Sequence, residues 1–267
     1  DWSSDVCSSD LAAETYELAT RLGDVRYAGR ALNTLGTTEL FIDVAAGLDK
    51  QARAVAMAET ADDDWCIADA LQAAAYGYAF SYAFGEATER LDRARPIAER
   101  LDHPLLLAWD RIGQALVAIV GGHVATAEAV LPEAATQTAR THDPNLAMNL
   151  LIAQAMTAFV AGRGAEWLDH LEQALHDAPR LGAGEAAPMI APLLATMLTA
   201  HGAGDRARSV LGEHLPIITA FTPAIAARAL QAAAVAALAA GANATAVGTN
   251  ANATFTSVGT ALNVTGS

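Results

Sequence analysis

Positive charge is scarce in this chain: 16 Lys and Arg face 30 Asp and Glu over 267 residues, for a formal net charge of -14. Nucleic-acid binding needs clustered cations that displace counterions from phosphate, so the chain itself is not expected to hold DNA or RNA. An anionic membrane surface is equally unsuited to it. Cysteine is almost missing. Cys7 and Cys66 make neither a disulfide framework nor a cysteine zinc site, which fits a reducing, cytoplasmic setting. Aromatic residues are 6% of the chain and β-branched runs are few, while the 53% apolar share is inflated by alanine, a helix former that is only weakly hydrophobic. No long uninterrupted apolar run occurs either: the stretch from Leu215 to Ala242 is broken by Pro216, Pro223, Arg228 and Gln231, and no membrane span is expected. Helical, acidic and without a membrane segment is the class that remains.

Both ends differ in texture from the middle. "DWSSDVCSSDL" has neither the basic start nor the apolar centre of a secretory signal, and no period that would place it on a helix or strand. Read as codons it resembles the translated end of a sequencing-library adapter, so residues 1–11 are expected to be an artefact preceding the fold. The segment 243–267 turns to Asn, Thr, Gly and Val without a charge and carries Asn-x-Thr sequons at Asn243, Asn252 and Asn263. It is expected to be a low-complexity, disordered tail, with residues 12–242 forming the folded body.

What the body does contain is a repeat. Polar loop signals end at Asp24, Asp63, His103, Asp143, Ala183 and Thr222, in steps close to 40 residues. A second series, of glycines, falls between them at Gly47, Gly85, Gly122, Gly162, Gly202 and Gly241 with the same step. Asp102-His103-Pro104, Asp143-Pro144 and Thr222-Pro223 place a capping residue before a proline whose missing N–H is harmless in a first helical turn, so these mark helix starts. The glycines follow apolar-periodic runs and are read as helix stops.

The unit is therefore a helix, a turn, a second helix and a polar loop. First (A) helices are expected at about 25–46, 64–84, 104–120, 144–161, 185–201 and 223–240. Second (B) helices are expected at about 12–22, 48–61, 86–101, 123–140, 164–181 and 205–220. One helical pair cannot bury its own apolar face, whereas stacked pairs can, and the expected fold is an all-α solenoid of about six repeats. Leu32, Leu35, Leu71, Leu106, Ile112, Leu116, Leu151, Phe159, Leu168, Leu175, Leu194 and Leu198 are the expected core.

The unit resembles a tetratricopeptide repeat. "ALNTLG" (Ala31 to Gly36) is similar to the Leu-Gly of its helix A, and Ala52 falls in helix B. The departures are a unit of about 40 residues where the family has 34, no helix-A tyrosine and no regular closing proline, so the unit is TPR-like. "ADDDWCIADALQAAAYGYAF" and "RARPIAERLDHPLLLAWDRIG" resemble the helical-repeat region of large ATP-dependent LuxR-type (MalT-like) transcription regulators, over roughly residues 12–240. That resemblance implies a fragment: the sensor and assembly segment of a regulator, with ATP and DNA handled only by flanking domains this sequence lacks.

Catalytic patterns fail on inspection. No phosphate-binding G-x-x-x-x-G-K-[ST] loop is present, and "GAGEAA" (Gly182 to Ala187) and "GAGDRA" (Gly202 to Ala207) follow helices where a dinucleotide fold needs a strand. Asp62, Asp63 and Asp64 lack the one-turn spacing of metal-binding aspartates, and one of them is read as a helix cap in an acidic cluster favoured at a helix start. The histidines offer no metalloprotease helix: His170 and His176 face different ways, and His103 and His142 sit in equivalent loops. Cys66, beside Trp65 near a helix start, is read as a buried thiol with no histidine partner. No cofactor or metal is expected.

Two sets of A-helix positions step with the repeat: Asn33, Gln72, Asp110 and Leu150, and one turn later Thr37, Tyr76, Gln114 and Gln154. Stacking would align them as adjacent rows. In tetratricopeptide proteins the A helices line the concave groove, so the resemblance makes these rows candidates for contacting a peptide, a partner domain or a small-molecule effector. The alternative is an ordinary solvated face, with Trp109 either an anchor there or core. The expected function is a non-catalytic regulatory and protein-interaction module. A free-standing TPR-like scaffold for peptides or partner proteins is the main alternative, and a helical enzyme or extracellular glycoprotein a more distant one.

Overall fold

The computed structural model describes residues 3–40, 43–81, 83–163, 166–178 and 187–220. Every regular element among them is an α-helix: α1 (Ser3–Leu22), α2 (Val25–Glu39), α3 (Val44–Thr60), α4 (Asp64–Phe80), α5 (Phe84–Leu101), α6 (Pro104–Val120), α7 (Val124–Thr141), α8 (Pro144–Val160), α9 (Glu166–Asp177), α10 (Ala187–Ala200) and α11 (Gly204–Ala220). The chain divides into two units, 1–163 and 164–267. In the first, each helix packs on the next in sequence, and the A helices α2, α4, α6 and α8 also pack on one another in that order. That is the all-α helical repeat which the punctuation predicts. In the second unit α10 packs against both α9 and α11. The tail 243–267, the helix start at Thr222-Pro223 with its helix at 223–240, and the Gly241 stop lie outside the described residues.

The repeat is written in its caps. Gly23, Asp62, Asp102 and His142 close α1, α3, α5 and α7, each with a left-handed backbone at φ of 70°, 49°, 44° and 54°. In the first two, a backbone N–H one residue further reaches back to the helix, Asp24 to Ala19 O and Asp63 to Ala58 O, both at 2.9 Å. The next residue then opens an A helix. Asp24, Asp63 and Asp143 accept hydrogen bonds from the N–H groups of Tyr27, Cys66 and Leu146, whereas His103 caps α6 without a side-chain bond and relies on Pro104. Gly122, Gly162 and Gly202 end α6, α8 and α10 at φ of 81°, 70° and 82°.

Three expectations need correction. Residues 3–11 are helical, as the first turns of α1: once a helix is nucleated at the alanine-rich segment, each further residue adds a hydrogen bond for little entropy, even through Ser and Asp. Gly47 is not a helix stop. α2 ends at Glu39, and Asp43 caps α3 through a bond from Ala46 N (3.1 Å), so Gly47 lies inside α3. It is glycine because a Cβ there would stand 2.7 Å from the backbone N of Leu40. Gly85 likewise lies in the first turn of α5, with nothing crowding it.

Alanine builds the core by letting helices approach. Gly36, Ala75, Ala115 and Ala155 hold one position in four successive A helices, Ala54, Ala94 and Ala134 one position in three B helices, and all are buried. Gly29 does the same for Met57, whose Cβ would lie 3.2 Å from a Cβ at that glycine. Leu32, Leu71, Leu106, Ile112, Leu194 and Leu198 are buried as expected, while Leu35, Leu116, Leu151, Phe159, Leu168 and Leu175 are half-buried. In the second unit Trp167 is buried and meets the His201 ring edge-on at 5.8 Å, and an Arg206–Glu172 ion pair ties α11 to α9. No helix among the described residues is long and apolar enough to cross a membrane.

Candidate interaction site

The polar residues expected to line a groove are mostly turned inward, as staples between A helices. On α2 the Asn33 side-chain amide donates to Asp69 Oδ2 on α4, and its backbone carbonyl accepts from Gln51 Nε2 (3.1 Å) and Thr37 Oγ1 (3.0 Å). On α4, Gln72 Nε2 donates to the Leu106 carbonyl of α6 (2.8 Å), while the Tyr76 ring meets Trp109 of α6 edge-on at 5.6 Å and 89°. On α6, Asp110 accepts from Gln114 and sits beside Arg95 (3.4 Å) and Arg111 (3.1 Å). Arg111 in turn reaches Glu99 of α5 (3.6 Å) and Glu133 of α7 (2.9 Å), so one guanidinium joins three helices.

Asn33, Gln72 and Asp110 are therefore buried, against the expectation of an accessible row. Of the others Thr37 is exposed, and Tyr76, Gln114, Gln154 and Leu150 are half-buried. The rows themselves are out of register. Counted from the N-caps Asp24, Asp63, His103 and Asp143, Asn33 and Gln72 hold the ninth position but Asp110 and Leu150 the seventh. Thr37 and Tyr76 hold the thirteenth, Gln114 and Gln154 the eleventh. Two residues rotate a helix by about 200°, so each expected row changes face between α4 and α6. The true continuations of the two rows are Ile112 with Ile152, and Leu116 with Met156.

Burial sets the electrostatics. It pushes the Asp69 carboxyl up to about 6 against the bond from Asn33, and Asp110 up to about 6 against the pull of Arg95 and Arg111. The Tyr76 phenol is driven upward by burial and by the nearby Asp110. Asp63 goes the other way, held below its ordinary range by its bond to Arg30 (2.6 Å). Cys66 is a fully buried free thiol pushed up to about 12, the opposite of an activated nucleophile. A carboxyl poised near 6 suits general base catalysis only if substrate reaches it, and Asp110 is fully buried.

A surface that spacing alone did not disclose lies at the α1–α2 edge of the first unit. At the third position after each A-helix cap, Cys66, Leu106 and Leu146 are 0% exposed, whereas Tyr27 is 58% exposed. Leu18 holds the B-helix position that Met57 and Ile97 use to pack on their neighbours, yet it is half exposed, with Leu22 beside it more so. Comparing equivalent positions among the repeats would have found Tyr27 and Leu18, whose counterparts are buried or half-buried; Leu22 would not stand out, since its counterpart Leu101 is exposed too. No family model and no curated protein matches the chain.

Proposed function

We propose that the chain is a non-catalytic protein-interaction module, the effector-sensing or assembly segment of a LuxR-type transcriptional regulator working in the cytoplasm. ATP and DNA would engage it only through flanking domains. The observation that carries the reading is the open edge: Tyr27 occupies a position that is fully buried in the other described repeats of the first unit, Leu18 one that is half-buried in α3, α5 and α7, and such side chains in a stacked repeat belong against another helix of the same kind. The partner is accordingly an amphipathic A-type helix with a small residue facing Leu18, as Gly29 faces Met57. Asp110 supports the non-catalytic reading, because it is enclosed between helices with no exposed surface.

The test begins at the native locus, where one reading frame is expected to encode a nucleotide-binding motif upstream and a helix-turn-helix downstream. The polypeptide encoded immediately upstream, made separately, should bind this chain and lose at least tenfold in affinity against the double variant Leu18→Ser, Tyr27→Ser. A self-contained short gene refutes the regulator, and equal binding to both proteins refutes the edge.

A further inference from the structure

α4 packs against both α3 and α5, and between those two B helices lies a cleft of about 190 Å³. Leu48, Val55 and Leu71 supply apolar lining, Gln51 and Glu59 polar lining, and Tyr78 borders it as well. Two arginines of α5 stand at it. Arg93 is already matched, in an ion pair with Glu59 across the cleft. Arg90 is not. Its guanidinium lies over the Tyr78 ring at 5.7 Å, its nearest carboxylate is its sequence neighbour Glu89 at 3.7 Å, and among the described residues none accepts a hydrogen bond from it. A guanidinium that is only 29% exposed, with no protein acceptor on its N–H fork, is matched to a planar anion that can take two parallel bonds.

The preceding repeat shows what the position ordinarily holds. Glu39 and Tyr78 are both fifteen residues after their A-helix caps, and Lys50 and Arg90 both twelve residues before the left-handed closing residues Asp62 and Asp102. In the first repeat these two positions form an ion pair, Lys50 to Glu39 at 3.1 Å. In the next the cation is kept and the acid is replaced by an aromatic ring. In the third both are apolar, Ala118 and Val130. Among these three repeats, the one at the cleft alone keeps the cation without an A-helix acid, leaving it a π-face and its own neighbour Glu89.

We propose that this cleft binds a small organic carboxylate whose apolar body lies on Leu48, Val55 and Leu71 and whose carboxylate takes, on Arg90, the role Glu39 plays for Lys50. The volume holds about six waters at liquid density, and so one aromatic ring with a short carboxylate arm. The net charge of -14 works against a bare inorganic anion, which brings no apolar surface to offset it. The site shares no residue with the Leu18–Tyr27 edge, and its test involves no partner protein.

Phenylacetate is the probe, followed by calorimetric titration and by melting temperature. It should bind and raise the melting temperature, while 2-phenylethanol, with the same body and no carboxylate, and sulfate at matched ionic strength should not. Arg90→Met should weaken phenylacetate at least tenfold. Tyr78→Glu, which rebuilds the first repeat's acid and cation pair, should abolish binding and leave the unliganded melting temperature within a few degrees. Equal responses to phenylethanol or sulfate, binding unaltered in both variants, or no binding at millimolar phenylacetate would each overturn the proposal.

Discussion

Gln51→Leu is expected to stabilise the chain, and the repeat supplies the reason. Gln51 is fully buried in α3 at the position that Leu91 and Leu131 fill in α5 and α7. Its amide donates to the Asn33 carbonyl (3.1 Å) and Thr37 Oγ1 (2.9 Å), but its Oε1 is buried without a partner. An unsatisfied buried acceptor costs about 1–3 kcal/mol, and the two lost bonds are worth about 1 kcal/mol each. Neither acceptor is stranded by the change: Thr37 Oγ1 still donates to the Asn33 carbonyl (3.0 Å), and Thr37 itself is exposed to water. Leucine also loses about 1 kcal/mol less rotamer entropy than glutamine on burial and adds about 1 kcal/mol of apolar transfer. The balance is a gain of about 1–3 kcal/mol, or about 3–9 °C in melting temperature for a chain of this size. Urea unfolding followed by circular dichroism should show a higher midpoint at unchanged slope. A lower midpoint would mean that the two bonds outweigh the orphaned oxygen, and would refute the view that the position is built for leucine.

The other predictions concern backbone and protons. Gly47→Ala should destabilise by about 1–3 kcal/mol through overpacking against the Leu40 backbone, whereas Gly85→Ala, with nothing within 4 Å, should stabilise by about 0.5–1 kcal/mol; equal effects in urea titrations would restore both glycines as helix stops. Asp102→Gly should stabilise by about 1 kcal/mol, because the left-handed conformation at φ 44° and a negative charge at the C-terminal end of α5 both disfavour aspartate, and its nearest cation, Arg140, is 3.9 Å away. The folded chain holds protons on Asp69 and Asp110 up to about pH 6, above their ordinary 3.8, so their contribution is full below about pH 4 and lost as pH rises through about 6. Asp63 acts oppositely, with stability present above its ordinary value and lost as pH falls through its depressed one. The melting temperature should therefore gain more from pH 7 to pH 5 in the parent than in Asp110→Asn, and identical profiles would show that Asp110 does not titrate there.

What was legible in the sequence is what is local. An aspartate before a helix satisfies N–H groups two or three residues on, and a proline at N1 concerns only its own turn, so Asp24, Asp63, Pro104 and Asp143-Pro144 located helix starts without knowledge of the fold. Gly122, Gly162 and Gly202 were legible for the same reason. Gly47 was not, because a glycine admitted for a close contact looks like one admitted for its dihedral angle, and its partner Leu40 lies before the start of α3. The groove residues failed on a finer scale. A step of 38 rather than 40 is a small difference in sequence, absorbed by loops when whole repeats are counted, yet on a helix it moves a side chain to the other face.

Burial of Asn33, Gln72 and Asp110 follows from the alanines around them. Helices faced with Gly36, Ala75 and Ala115 approach closely enough for a side-chain amide to span to the next helix, as Gln72 does to the Leu106 carbonyl, so a polar residue in an alanine-rich helix need not point to water. What tells inward from outward is comparison among the repeats, since equivalent positions share a backbone environment and differ only in side chain. Tyr27 among Cys66, Leu106 and Leu146 marks an uncovered edge by that logic, and Tyr78 with Arg90 against Glu39 with Lys50 marks a cation without its A-helix acid. In both cases the departing residue lies where the regular repeat already makes a contact, so the missing partner can be specified chemically: a helix at the first, a carboxylate at the second.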